Sequence, residues 1–334
     1  MIEITKEVPL LDKNGNIAYP GYAKKMYWKY DRNDIKVPKY KIKEWDYYLI
    51  VNDDMGIALT MDDNGYMGLM SLSLLDFNNK IEKTVSQIFA FPLGKLNFPK
   101  RSDYGKITYT DKKCNFCFHT HDGIRELDCL MKDFHDGKDA MVHLVLSEEP
   151  EESIVVATPF EKPKHFYYNQ KINCMVANGS VTYGNQVIKI ENAHATLDWG
   201  RGVWTYHNTW IWGSASGIVD GHKFGFNIGY GFGDTSAASE NMLFYDGKAH
   251  KIEHIKADIP ANYTDNWTIT SSDGRFEMLF EPILNRAACT DVKLIKSDQN
   301  QVFGYYTGKA ILDDGSEIVL DKFLGFIEEV ENKW

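Results

Sequence analysis

Long apolar runs are missing. Nowhere do about 18 apolar residues follow one another, the length that a membrane-spanning helix needs. Basic runs are missing too, and 37 Lys and Arg against 47 Asp and Glu leave a formal net charge of −10. That balance argues against nucleic acid as a partner, and against an anionic membrane surface or stable membrane insertion. The first residues carry Glu3, Lys6, Glu7, Asp12 and Lys13 with no apolar stretch between them, so no secretory leader is expected and a cytoplasmic location is. Cysteine is scarce: 5 residues, an odd number, fit a reducing compartment rather than a disulfide framework. Cys114 and Cys117 form a C-x-x-C without the second pair of a zinc knuckle. His119 and His121 follow at a spacing that can bind metal if they share a strand face, but an exposed strand end is the simpler expectation. No metal and no cofactor are expected. A glycine-rich phosphate loop, a G-x-S-x-G elbow and an H-E-x-x-H are all absent.

Turn signals and aromatic residues, by contrast, are plentiful. Short alternating or apolar runs recur, divided by Asp63-Asn64-Gly65, Asn178-Gly179, Asp246-Gly247, Asp273-Gly274 and Asp314-Gly315. The punctuation predicts an all-β protein with less than about a fifth of its residues helical, against the usual third. Candidate strands include 45–52, 55–61, 66–76, 115–121 and 125–134, then 174–183, 186–190, 202–212, 276–282, 291–296 and 316–328. At 334 residues two domains are expected. The run Pro159 to His165 breaks the pattern, which places a boundary there and predicts two antiparallel β-barrels in tandem, 1–165 and 166–334.

Four of the 8 tryptophans fall between Trp199 and Trp212, in D-W-G-R-G-V-W-T-Y-H-N-T-W-I-W-G. Read as one strand from Gly202, the stretch puts Trp204, Tyr206, Asn208, Trp210 and Trp212 on one face and Val203, Thr205, His207, Thr209 and Ile211 on the other. Such a row of rings either closes a core or walls a site for an apolar ligand. Asp198 and Arg201 sit at the mouth of that strand, paired with each other or supplying polar contacts. Further on, Phe224, Phe226, Ile228, Tyr230 and Phe232 share one face, while Gly225, Asn227, Gly229 and Gly231 leave the other cleared. Asn227 is the hydrogen-bonding side chain on that cleared face.

The motifs D-W-G-R-G-V-W, T-W-I-W-G-S-A-S-G, F-N-I-G-Y-G-F and E-N-M-L-F-Y-D-G-K-A-H-K-I resemble the bacterial family known as domain of unknown function 2804. W-T-I-T-S-S-D-G-R-F-E-M-L-F-E-P, the stretch 45–76 and the ending from Phe323 are similar to it too. More distantly, an Asp before W-G and a W-x-W strand resemble the lipocalin-like double barrels of carotenoid hydratases and tocopherol cyclases. That resemblance implies two lipocalin-like barrels and an apolar small molecule as ligand.

One carboxylate, one arginine, a tyrosine, amides and indoles suit hydration, dehydration, isomerisation or cyclisation of a hydrophobic substrate without a cofactor. Such chemistry needs a proton delivered and a polarised intermediate held against π faces. Asp198, desolvated beside Trp199, is the acid expected, with Arg201 and Tyr206 as its catalytic partners and His207 a substitute on the opposite face. Trp199, Trp204, Asn208, Trp210, Trp212, Asn227, Glu240 and Asn241 are the expected ligand contacts. Glu240 and Asn241 can equally cap the end of a loop. A non-catalytic carrier of an apolar ligand is the alternative.

Overall fold

The computed structural model describes residues 1–292 and 295–333. It is 65% strand and 2% helix, so the all-β expectation holds. The strands form two large antiparallel sheets, each curled around its own apolar core as a barrel-like unit.

The first sheet runs from Ile81–Ala90 through Met67–Asp76, Met55–Asp63, Lys43–Val51 and Gln186–Val203 to Phe166–Tyr183. It continues through Lys138–Ser147, Ile124–His135 and Cys114–His121 to Gly105–Thr110, and Ile154–Pro159 also pairs with Phe166–Tyr183. Alternation decides which side chains enter. In Cys114–His121, Phe116 and Phe118 are buried while Asn115 is exposed and Cys117 half-exposed, the period of two that a pleated strand imposes. The end strands Ile81–Ala90 and Gly105–Thr110 meet through stacked rings, Phe89 on Tyr109 at 4.4 Å. The second sheet is ordered Lys248–Lys251, Met242–Tyr245, His222–Tyr230, His207–Val219, Glu317–Lys333, Ile295–Ile311, Phe276–Val292, Trp267–Ser271, Ile255–Asp258. The expected strand 291–296 spans residues 293 and 294, which lie outside the described residues.

The change of sheet falls between Val203 and His207 rather than after residue 165. The run Pro159 to His165 links two strands of one hairpin, with Pro159 opposite Phe166 in the same sheet. A proline-rich break therefore marks a turn, and the passage between sheets is the three-residue segment 204–206. This also divides the expected 202–212 strand. Trp204 and Tyr206 lie on the crossover, and only Asn208, Trp210 and Trp212 share a strand face.

The two units pack face to face. Tyr47, Leu49 and Phe77 of the first meet Trp212, Phe303 and Phe326 of the second. Beside them Val156 and Cys174 meet Ala238, Met242 and Phe244. In Phe166–Tyr183 the register shifts between Ile172 and Met175, and Cys174 has φ 64°. This bulge aims Asn173 at the second sheet, where its amide lies 2.8 Å from Ser214 Oγ and 3.1 Å from both Ala215 O and Phe226 O.

Candidate active site

The second half of Gln186–Val203 has two faces with opposite duties. Trp199 and Arg201 point into the first barrel. The Trp199 ring packs edge-on against Tyr30 and Tyr168. The Arg201 guanidinium lies 3.8 Å from the Trp199 ring centre and donates to Asp46, to the carbonyls of Trp45 and Gly200, and to Pro99 O. Asp198 points the other way, toward the second barrel, so the pair expected between Asp198 and Arg201 does not form. Residues three apart on a strand lie on opposite faces. Both residues sit within an 18-residue strand, not at a strand mouth.

The partner of Asp198 is Lys171, directly across the ladder, with its ammonium 3.0 Å from the carboxylate. Asn169 donates to the same oxygen at 2.6 Å, and the Trp45 indole N–H to the other at 3.1 Å. Trp45 reaches it because Gly200 lies beneath its ring; a Cβ there would stand 1.9 Å from the indole. Lys171 is buried, and its Nζ lies 3.7 Å from the Trp212 ring centre, a desolvated cation on an indole face.

From the second barrel, the Trp212 N–H donates to Asn227 Oδ1 at 2.7 Å, and Asn227 Nδ2 donates to the Glu240 carbonyl at 2.9 Å. The cleared face is thus occupied. A Cβ on Gly229 would stand 2.5 Å from Glu240 Oε1, and one on Gly225 2.6 Å from Cys174 Sγ. The Glu240 carboxylate approaches Lys171 to 3.9 Å. Next along, Glu328 accepts from Trp210 Nε1 at 3.2 Å, Gln301 Nε2 at 3.2 Å and Gln299 Nε2 at 3.3 Å.

Burial dominates the electrostatics here. It raises Glu328 to about 7, against the Trp210 N–H and the Lys171 charge, which favour the anion. Burial also raises Glu240, helped by the neighbouring Asp198 charge and opposed by Lys171. The Tyr167 phenol is pushed well up by burial and by Glu240 and Asp198. Three carboxylates around one buried ammonium cannot all be charged cheaply.

Rings close the site. Phe232 packs on Tyr167 at 4.7 Å, Trp204 at 4.9 Å and Trp210 at 5.0 Å, and Trp204 meets Trp45 at 5.2 Å. Beneath Phe232 lies a cavity of about 20 Å³ lined in part by Thr158, Tyr167 and Glu240, room for about one water. Thr158 Oγ1 and Glu240 Oε2 are buried there without a hydrogen-bond partner among the described residues. A larger cleft of about 600 Å³ opens elsewhere on the first barrel, between Tyr30, Arg32, Glu44, Phe98 and Lys100. Arg201 touches its lining through Pro99 and Glu44.

Of the residues expected from sequence, Asp198, Glu240, Asn227, Trp204, Trp210 and Trp212 converge here. Trp199 and Arg201 brace the first barrel instead. Tyr206 is 55% exposed on the crossover, and the exposed His207 pairs with Glu331 at 3.0 Å. Asn208 ties the turn, donating to Thr205 O at 2.7 Å and accepting from Thr205 Oγ1 at 2.9 Å. Asn241 ties the 231–241 loop to its neighbours, accepting from Gly229 N at 2.7 Å and donating to Glu253 O at 3.0 Å. Sequence reasoning missed Lys171, Glu328, Trp45, Tyr167 and Asn169. The alternation of Tyr167, Asn169 and Lys171 was the available signal, once 166–173 is taken as strand.

No functionally curated protein matches the sequence. Among solved structures, that of a protein assigned as AttH from Nitrosomonas europaea superposes with TM-score 0.54 at 10% identity, over 90% of this chain and 95% of that chain, which shows a shared fold. Kievitone hydratase from Nectria haematococca gives 0.46 at 10% identity over 98% of each chain. CghA with Sch210972 gives 0.42 at 8% identity over 97% of each. The match that covers the whole sequence is to a family: residues 1–334 fit its model, and the chain belongs to the family described as Domain of unknown function (DUF2804).

Proposed function

We propose that the protein is a cofactor-independent acid–base catalyst that hydrates, dehydrates, isomerises or cyclises a hydrophobic small molecule at the junction of its two barrels. The observation that carries this reading is the charge arithmetic of the junction. One buried ammonium, Lys171, faces Asp198, Glu240 and Glu328 between indole walls, and Glu328 sits near 7. A carboxylic acid holding its proton near neutral pH beside π faces is the equipment for protonating an alkene or a carbinol and holding the resulting positive charge. In this reading Glu328 and Glu240 move the proton, and Asp198 fixes Lys171 and Trp45 in place. The acid role expected of Asp198 thereby passes to the two glutamates, because Asp198 is occupied by three donors.

A substrate larger than water needs Phe232 to move. It sits in the 231–241 loop between Gly231 and Gly233, both at positive φ, 94° and 74°, and this loop is the natural hatch. The 600 Å³ cleft gives room for a second reading, a carrier that holds a ligand without converting it, with Ile35, Val37, Ile42, Leu93 and Phe98 for its apolar part and Arg32, Lys39, Glu44 and Lys100 for polar groups.

The test uses a panel of isoprenoids, polyenes and polyphenols incubated in deuterium oxide and read by mass spectrometry. Catalysis at the junction requires deuterium gain or a mass change of one water with wild type, lost in a Glu240→Gln/Glu328→Gln variant that circular dichroism shows to be folded at the assay temperature. Ligands that bind but emerge unaltered from both proteins would establish the carrier.

A further inference from the structure

A second cluster lies on the outer face of the first barrel, away from the junction. Cys114–His121 and Ile124–His135 form a hairpin whose tip, Asp122 and Gly123, has φ 50° and 77°. Because Phe116, Phe118 and Thr120 are buried in the barrel, Cys117, His119 and His121 stand on the outer side. His119 lies directly opposite Glu126 on the neighbouring strand. One oxygen, Glu126 Oε2, is 3.4 Å from His119 Nδ1 and also 3.4 Å from His121 Nε2. The ligand-type atoms of all three residues fall within 4.8 Å of one another. Their side chains are 35%, 28% and 38% exposed, open to an incoming ion yet held by the sheet.

We propose that His119, His121 and Glu126 form a binding site for a divalent transition ion of the zinc class, with water completing its coordination. Two imidazole nitrogens and one carboxylate oxygen are a recognised zinc donor set that leaves a coordination position open. Imidazole selects Zn²⁺, Cu²⁺ and Ni²⁺ over Ca²⁺ or Mg²⁺, which want more oxygens than this site offers. A further observation supports the assignment. The Nδ1 of His121 lies 3.1 Å from the Asp122 carboxylate while its Nε2 faces Glu126. A carboxylate bonded to the far nitrogen is the support that fixes the tautomer of a metal-ligating histidine. The expectation of no metal weighed His119 and His121 without Glu126, which the sheet brings from the next strand as the proposed third ligand.

Other groups face the site. Lys106 lies directly across from His119 on Gly105–Thr110, and its charge opposes a cation. Asp128, opposite Cys117, is held by His143 at 2.7 Å.

The experiment is calorimetric titration of the chelator-treated, tag-free full chain with zinc chloride near neutral pH, with circular dichroism as the check on folding. One zinc per chain is expected, and His119→Ala, His121→Ala and Glu126→Gln should each weaken it at least about tenfold. Lys106→Gln should tighten binding and Asp122→Asn should weaken it; both are surface changes that leave the three ligands in place. No saturable binding to wild type overturns the site, as does binding unchanged in His119→Ala/His121→Ala, and the cluster is then a cross-strand ion pair alone. Neither result bears on the junction chemistry, which uses none of these residues.

Discussion

Lys171 decides the character of the junction, and no motif in the sequence marks it. A lone lysine between Gln170 and Ile172 reads as a solvated charge until its strand is known to be covered by a second sheet. Its removal is therefore expected to be severe. Lys171→Met leaves the Asp198 carboxylate buried with neutral donors only, a loss of about 3–5 kcal/mol. Lys171→Met/Asp198→Asn should recover most of that, because the uncompensated charge goes too; urea midpoints of the two variants check it. Glu328 gives a second expectation, this one in pH. Its folded-state pKa is raised from 4.5 to about 7, so its favourable contribution is complete below the unfolded value and is lost as pH rises through the folded one. Glu328→Gln carries no such dependence. The stability of the variant minus that of wild type should climb by roughly 3 kcal/mol between about pH 4.5 and 7.5, then level off. A difference that stays flat over that range would mean Glu328 is not desolvated. Asp198, Trp210, Trp212 and Asn227, which meet at the junction, were legible as candidates because each stands in a conspicuous aromatic or glycine pattern.

Strands as units were legible in kind and poorly legible in extent. Turn dipeptides other than Asn178-Gly179 marked the hairpin tips, since Asp-Gly and Asn-Gly pairs supply the positive φ that tight turns need. Strand length was hidden by the same residues used inside strands. Gly179 and Gly308 sit mid-strand at register shifts with φ 148° and 153°, and Pro282 sits at a shift in Phe276–Val292. Each looks like a terminator in sequence and is a bulge in the sheet. The same confusion placed a domain boundary at Pro159 to His165 and ran one tryptophan strand through the crossover. Glycines that face the junction have a different duty, and one substitution isolates it. Gly200→Ala places a methyl group 1.9 Å from the Trp45 ring, which must swing off Asp198. Overpacking of this kind costs about 1–3 kcal/mol, and the loss of the Trp45 N–H bond should appear as a shift in indole fluorescence. Unchanged emission together with unchanged stability would mean that Trp45 is not anchored over Gly200.

The molecule as a whole is two barrels that share a third hydrophobic interior, the junction itself. Each unit has its own core, yet the outer faces that meet hold Tyr47, Leu49, Phe77, Trp212, Phe303 and Phe326, most of them nearly inaccessible. Separation would expose a large apolar patch of the kind that monomeric domains avoid. It would also strip partners from Lys171 and from Asn173, whose amide reaches four acceptors on the second sheet. The two barrels should therefore unfold together. Two spectroscopic signals report on the barrels in different proportions. Far-ultraviolet circular dichroism follows all strands, while indole emission is weighted toward Trp28, Trp45 and Trp199 of the first unit and Trp204, Trp210 and Trp212 at the crossover and junction. In a urea titration the two signals should give coincident midpoints and a single transition. Asn173→Ala should lower the stability by about 1–3 kcal/mol, the penalty for orphaning buried polar groups, and so move that midpoint to lower urea without splitting the transition. Two resolved transitions in wild type would show that the barrels are independent modules. The junction, polar cluster included, would then be a docking surface and not part of the folded core.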